Sequence, residues 1–138
     1  MHFRPKNLKE VAQQAPTLEA WGSALAEFLD EVNATRKKGQ PKALLELVSE
    51  EPPFLRDRFK QGETADAFGA ALAEYIAESI FAPSPSWTRK DHRFLSDPWY
   101  PHSRIEDHPQ LRIFIERDTP QAFRNHNVFI DENSLTRT

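Results

Sequence analysis

The pattern of the sequence changes at Phe81, and this change limits the folds open to the chain. All four glycines lie before that point, whereas six of the eleven prolines and four of the five histidines follow it. Up to Phe81, apolar residues recur at the spacing of an amphipathic helix, as between Leu18 and Val32. Beyond it, the prolines of "APSPSW" predict an extended connector. We therefore expect a mainly α-helical fold with an irregular C-terminal segment, rich in proline and aromatic residues, and at most a short strand.

Four or five helices are predicted within residues 1–82, which would form a helical core; the fifth would be a single turn in "FLRDRF". Asn7 and Thr17 are placed to cap the first two helices, and Gly39 follows the basic last turn of the second. The third is expected from Pro41 to Ser49, and Thr64 is the candidate cap of the fourth.

Residues 83–138 lack the regular apolar periodicity of an independent core, so we expect them to wrap the helices within one domain, residues 1–138. Two short helices are predicted there. Asp107 would cap the first, with Pro109 in its first turn, and Thr119 would cap the second. The run "NVFID" is the one strand-like stretch.

The composition excludes several kinds of chemistry. Without cysteine there can be no disulfide, thiolate zinc site or cysteine nucleophile, and four scattered glycines form no phosphate-binding loop. The net charge of −3 argues against non-specific nucleic-acid binding. There is no signal-peptide pattern and no apolar run near the ~18 residues that span a bilayer, so we expect a soluble cytoplasmic protein without a membrane partner.

The stretch from Ser84 to Arg104 is the leading candidate site, because it interleaves aromatic rings with cations. Three interpretations stay open. Its rings could pin the segment onto the helices, form a protein-binding surface of the kind rich in Trp, Tyr and Arg, or stack on the bases of single-stranded nucleic acid. Acidic residues in the same stretch, Asp91 and Asp97, argue against the last.

Histidines supply a competing enzymatic interpretation. His92, His102, His108 and His126 lie near acidic residues, and imidazole with carboxylate suits several divalent ions. A metal-assisted hydrolase is therefore an alternative function. No spacing matches a known ligand motif, no serine stands in a G-x-S-x-G elbow, and we predict no catalytic residue, metal or cofactor.

Two stretches, "PSWTRKDHRFLSDPWYP" and "TPQAFRNHNVFIDENSLTRT", resemble a family of small bacterial proteins. Its members share a tryptophan, then R-F-L-x-x-P-W, then a C-terminal P-x-A-F-R-x-x-N-x-F-[IV]-x-x-x-x-L-x-R. The resemblance covers residues 84–138 and does not extend to the N-terminal helices. The matching positions are Trp87, Arg93, Phe94, Leu95, Pro98, Trp99, Pro120, Ala122, Phe123, Arg124, Asn127, Phe129, Ile130, Leu135 and Arg137.

Members of that family are often encoded beside a nucleotidyltransferase-like protein, in arrangements that resemble toxin–antitoxin pairs. The resemblance therefore implies a nucleotidyltransferase-like protein partner and suggests an antitoxin.

We accordingly expect a non-enzymatic protein-binding chain, the small partner of a bacterial two-gene module. Aromatic anchors would supply most of the binding energy, while Arg93, Arg104 and Arg124 would fix the register through acids on the partner. The alternatives are the hydrolase and a single-stranded nucleic-acid binder. The predicted partner-binding residues are Trp87, Arg93, Phe94, Trp99, Tyr100, Arg104, Phe123, Arg124, Asn127, Phe129 and Arg137.

Overall fold

The computed structural model of the chain describes residues 4–102 and 104–135. These residues form α-helices linked by turns and short 3₁₀ segments, which confirms the mainly α-helical fold. Their β pairing is limited to one parallel bridge, between Trp99 and Val128. The α-helices are α1 (Leu8–Gln13), α2 (Leu18–Lys37), α3 (Pro41–Glu46), α4 (Gly62–Ser79), α5 (Pro109–Asp118) and α6 (Gln121–Asn125).

The first two helices begin where the sequence predicts. The Asn7 side chain accepts a hydrogen bond from the backbone N–H of Glu10 at 2.9 Å, and the Thr17 hydroxyl accepts one from Ala20 at 3.1 Å. These side chains satisfy N–H groups that lack a partner within the helix. Gly39 ends α2 with a φ of +66°, a conformation that glycine adopts without steric cost.

Helix α4 lies at the centre of the fold. Its alanines at 70, 71 and 73 are fully buried, and side chains this small allow neighbouring helices to approach closely. Helix α2 runs parallel to it, because Trp21 packs on Phe68 near their N-terminal ends and Arg36 donates to Ser79 near their C-terminal ends. The two ring centroids are 5.5 Å apart, and Arg36 Nη2 lies 3.1 Å from Ser79 Oγ.

Three predicted helix caps are wrong, and α3 ends at Glu46 rather than Ser49. Helix α4 begins at Gly62 instead of near Thr64, and Gln61 precedes it with a φ of +67°. Tertiary contact explains the difference: a Cβ on Gly62 would lie 1.9 Å from the carbonyl oxygen of Leu55. Asp107 does not cap α5 with its side chain. It lies in the 3₁₀ turn Ile105–Asp107, where its carboxylate accepts from Arg104.

Thr119 likewise does not cap α6. Its hydroxyl lies 2.6 Å from the carbonyl oxygen of Ile115 and 3.0 Å from that of Ile130, and it accepts from the Ile130 N–H at 3.2 Å. Thr119 therefore ties the end of α5 to the C-terminal stretch.

One cluster of buried apolar residues draws on both parts of the chain. Phe123 of α6 is fully buried and packs edge-on against Phe68 and Tyr75 of α4. Val128, Ile130 and Leu135 belong to the same cluster as the N-terminal helices. Among the described residues, no helix is long and apolar enough to cross a membrane.

Candidate functional site

Residues 93–99 and 126–129 are joined side by side, and this pairing positions most of the predicted site. The N–H of Leu95 donates to the carbonyl of His126 at 3.2 Å, and that of Trp99 to the carbonyl of Asn127 at 2.8 Å. The side-chain amide of Asn127 donates a hydrogen bond to the carbonyl of Leu95 at 2.7 Å. Asn127 has a φ of +63°, which asparagine tolerates better than most side chains, so both its backbone and its amide suit this position.

Arg93 lies inside the protein, with 1 % of its surface exposed. Its Nη2 atom donates to Glu51 at 3.2 Å and to the carbonyl of Pro52, and its Nη1 lies 3.8 Å from the Asp66 carboxylate. The guanidinium also lies over two rings, with its carbon 4.1 Å from the centroid of Phe54 and 4.9 Å from that of Trp87. Arg93 therefore joins the C-terminal segment to the loop before α4 and to α4 itself.

Burial and charge act in opposite directions on this group of ions. Burial raises the pKa of Asp66 more than its backbone hydrogen bonds and Arg93 lower it. Burial also lowers the pKa of Arg93, against the opposing effect of Glu51 and Asp66. At Glu51 burial would raise the pKa, but hydrogen bonds and charge from Lys90 and Arg93 outweigh it and the pKa falls. Arginine nevertheless stays charged in proteins, so this is a buried ion pair.

His126 is fully buried beneath the paired segments. Its Nδ1 contacts the carbonyl oxygen of Arg93, and its Nε2 lies 2.8 Å from Oε1 of Glu74. The Phe94 ring stacks on the imidazole, with centroids 4.2 Å apart and planes 13° from parallel. The sequence analysis named His126 with the other histidines near acidic residues, and in the structure it links Arg93 to Glu74 of α4.

Trp87 packs inward and is 6 % exposed. Its indole Nε1–H donates to the carbonyl of Val48 at 3.1 Å, which satisfies the one polar group of the ring. Trp87, like Arg93 and Phe123, therefore contacts the interior of its own chain. For these three residues a direct contact with a partner stays a prediction that would require this conformation to open.

The remaining predicted rings reach the surface. Trp99, Tyr100 and Phe129 are half-buried, and Phe94 is exposed on the side away from His126. Tyr100 stacks on Phe129, with centroids 5.2 Å apart and planes 17° from parallel. The Tyr100 hydroxyl donates to Glu116, which also accepts from Arg112. These bonds connect the stacked rings to α5.

Helix α5 adds exposed apolar residues that the sequence analysis did not include in the candidate site. Only Ile115 is buried, while Leu111, Ile113 and Phe114 are exposed. The sequence contains a usable signal, since Ile113, Phe114 and Ile115 are consecutive, and three consecutive residues of a helix cannot all lie on one buried face. We call the outer rings and these helix residues together the aromatic surface. It comprises Phe94, Trp99, Tyr100, Phe129, Leu111, Ile113 and Phe114.

The predicted arginines differ in their surroundings. Arg104 is exposed and forms an ion pair with Asp107 at 2.8 Å. Arg124 donates to the backbone carbonyls of Thr119 and Glu116, and so fastens α6 to the end of α5. Arg137 lies outside the described residues.

The histidines proposed for a metal site do not assemble one in the described part of the chain. His102 and His108 meet edge to face with ring centroids 5.0 Å apart, whereas His92 packs on Phe54. No three histidine or carboxylate side chains among the residues described could hold a common ion.

Comparison of the chain with protein-family models, with curated proteins and with solved structures finds no match. The resemblance of residues 84–138 to a bacterial family therefore rests on the motif residues alone.

Proposed function

We propose that this protein is a non-enzymatic protein-binding partner in a bacterial two-gene module, acting in the cytoplasm as an antitoxin. The proposed partner is a nucleotidyltransferase-like protein, as the motif resemblance implies. The contact surface would be the aromatic surface.

The observation that supports this proposal is the concentration of exposed apolar side chains in the C-terminal part. Phe94 is 40 % exposed, Leu111 37 %, Ile113 63 % and Phe114 42 %. Single exposed apolar residues are common, but several within one part of the chain, together with half-buried Trp and Tyr, are typical of protein interaction sites. Within the described part of the chain, nothing covers the outer sides of these four side chains.

The surface is also held in place from within, which favours binding. Arg93 and His126 fix the inner side of the paired segments, and the Tyr100–Glu116 hydrogen bond fixes their contact with α5. A surface that is already ordered loses less conformational entropy on association. Arg104 and Arg112 are exposed, and Arg112 lies over the Tyr100 ring; on binding, each would exchange its own carboxylate, Asp107 or Glu116, for an acid of the partner.

The two alternative functions lack comparable support. A hydrolase would need a metal site that the described residues do not assemble. For nucleic acid on the same stretch, Trp87 and Arg93 were expected to supply a stacking ring and a phosphate contact, and both are buried.

Copurification tests the proposal. The tagged chain is purified gently from its native bacterium after nuclease treatment, and bound proteins are identified and counted. We expect one protein in a fixed ratio to the chain, and we expect that protein to arrest growth when it is expressed alone but not with this chain. Recovery of the chain as a clean monomer from repeated preparations would contradict the proposal. A partner that is harmless alone would overturn the antitoxin role only.

A further inference from the structure

A second surface lies at the end of the molecule where α2 and α4 finish. Because these helices run parallel, their C-terminal ends lie together, and the Arg36–Ser79 hydrogen bond joins them. Helix α3 starts at the same end, since it follows α2 after the turn at Gly39. We call this the basic end. It comprises Arg36, Lys37, Lys38, Lys42 and Phe81.

The basic end concentrates positive charge in a protein of net charge −3. Residues 32–45 contain four cations and no acid, and all four cations are exposed. Among the described residues, Lys37, Lys38 and Lys42 have no ion pair or hydrogen-bonded side-chain partner. Arg104 and Arg112, by contrast, are each paired with a carboxylate of their own chain.

Helix electrostatics account for only part of this charge. Cations in the last turn of α2 interact favourably with the helix dipole. Lys42 lies in the first turn of α3, where a cation is unfavourable. An anionic ligand would explain all four cations.

Phe81 is the second, independent feature of this end. It is 98 % exposed and has a φ of +56°, a left-handed backbone conformation that favours glycine. The turn is fixed by the N–H of Ala82, which donates to the carbonyl of Ala77 at 2.9 Å. The chain therefore holds a large ring in solvent, in an unfavourable backbone conformation, two residues beyond the bond to Arg36.

We propose that the basic end binds single-stranded nucleic acid, with phosphates on the four cations and one base stacked on Phe81. Cations that follow the backbone beside an exposed ring are the usual means of binding single strands without sequence preference. A protein anchor would instead need surrounding apolar groups that exclude water, and here the ring is accompanied by cations. Glu78 at the same end opposes the binding of an anion, although burial and Glu74 raise its pKa. This binding site is separate from the aromatic surface and does not depend on the proposed protein partner.

Fluorescence anisotropy with a labelled twelve-residue oligothymidylate and the full chain tests the proposal. Four phosphate contacts predict that log K falls with log salt at a slope of about −3. Lys37→Glu with Lys38→Glu should weaken binding at least ten-fold and reduce that slope by about half. Phe81→Ala should weaken binding about ten-fold, the loss expected for one stacked base, with little change in slope.

Matched controls separate a local site from overall charge. Lys6→Glu with Lys60→Glu changes the net charge equally at exposed positions elsewhere, and Ile113→Ala removes an apolar side chain of the aromatic surface. Neither should change the affinity by more than two-fold. Three results would overturn the proposal: no saturable binding at low salt, equal losses in the charge controls, or equal competition by a twelve-residue polyglutamate, which would indicate a surface for acidic protein.

Discussion

At the scale of a single residue, Arg93 attaches the C-terminal segment to the rest of the protein. Its charge is buried beside Asp66, whose side chain is 1 % exposed and accepts backbone N–H bonds from Leu55 and Arg56. Burying two ions costs much of what their attraction returns, so the pair is a weak source of net stability. Breaking the pair costs more than the pair contributes, because removing one ion leaves the other buried without compensation.

Arg93→Met should therefore lower the free energy of unfolding by about 3–5 kcal/mol, measured by urea denaturation. Adding Asp66→Asn should recover part of the loss, since the uncompensated carboxylate is gone. Arg104→Met is the matched control, because that arginine is in an exposed ion pair worth less than about 1 kcal/mol. A loss below about 1 kcal/mol in Arg93→Met would show that the buried pair does not hold the segment.

Tyr75 links α4 to the C-terminal stretch and should make stability sensitive to alkaline pH. Its hydroxyl donates to Glu132 at 2.9 Å, and burial together with Glu132 raises its pKa to about 12 from 10.0. The unfolded chain therefore loses this proton first as the pH rises. The contribution is complete below pH 10 and is lost between pH 10 and 12.

Urea midpoints at pH 9 and pH 11 test this linkage in the native chain and in Tyr75→Phe. The variant should lose less stability than the native chain between the two conditions, because phenylalanine has no proton to release. Identical losses would mean that Tyr75 titrates alike in the folded and unfolded chains.

At the scale of elements, the start of α4 depends on one glycine. Gly62 lies against the backbone of Leu55, where a Cβ would meet the carbonyl oxygen at 1.9 Å. Gly62→Ala should destabilise the protein by about 3 kcal/mol, the upper range for overpacking. Gly69→Ala, in the same helix with no atom within 4 Å of the added Cβ, should stabilise it by about 0.5–1 kcal/mol. Thermal unfolding followed by circular dichroism distinguishes the two, and equal effects would refute this account of where α4 begins.

Elements governed by local chemistry were predictable from the sequence. Thr17 caps α2 and Gly39 ends it, because caps and left-handed turns depend on neighbours within a few residues. The start of α4 was not predictable, because it depends on the contact of Gly62 with the backbone of Leu55, which lies outside the helix. The burial of Arg93 was also missed, because its acids, Glu51 and Asp66, are 42 and 27 residues away. An arginine that follows a polar run, here Lys90, Asp91 and His92, is expected at the surface unless distant residues of the fold supply its partners.

The same distinction holds for the aromatic surface. Its position in residues 84–138 was predicted from the clustering of rings and cations. Which rings face outward was not, because that depends on the pairing of residues 93–99 with 126–129 and on α5. Trp87 and Trp99 look equivalent in the sequence, yet Trp87 is buried against Val48 and Trp99 is half-buried at the surface.

At the scale of the whole molecule, the C-terminal segment both completes the core and presents the proposed partner surface. Phe123, Val128 and Leu135 join the apolar cluster of the N-terminal helices, while Phe94 and three apolar residues of α5 are exposed. A substitution that tests binding must therefore change the outer side chains and leave the inner ones intact. Ile113 and Phe114 meet this condition, and Phe81 provides an exposed apolar control at the other surface.

The most direct test of the proposed function is the native mass of the tagged chain after gentle purification from its host. We predict a stoichiometric complex with one protein for the native chain and for Phe81→Asp. Ile113→Asp with Phe114→Asp should yield the free chain with unchanged helicity. A complex that survives the double substitution would contradict the assignment of the aromatic surface, and a free native chain would contradict the proposed function itself.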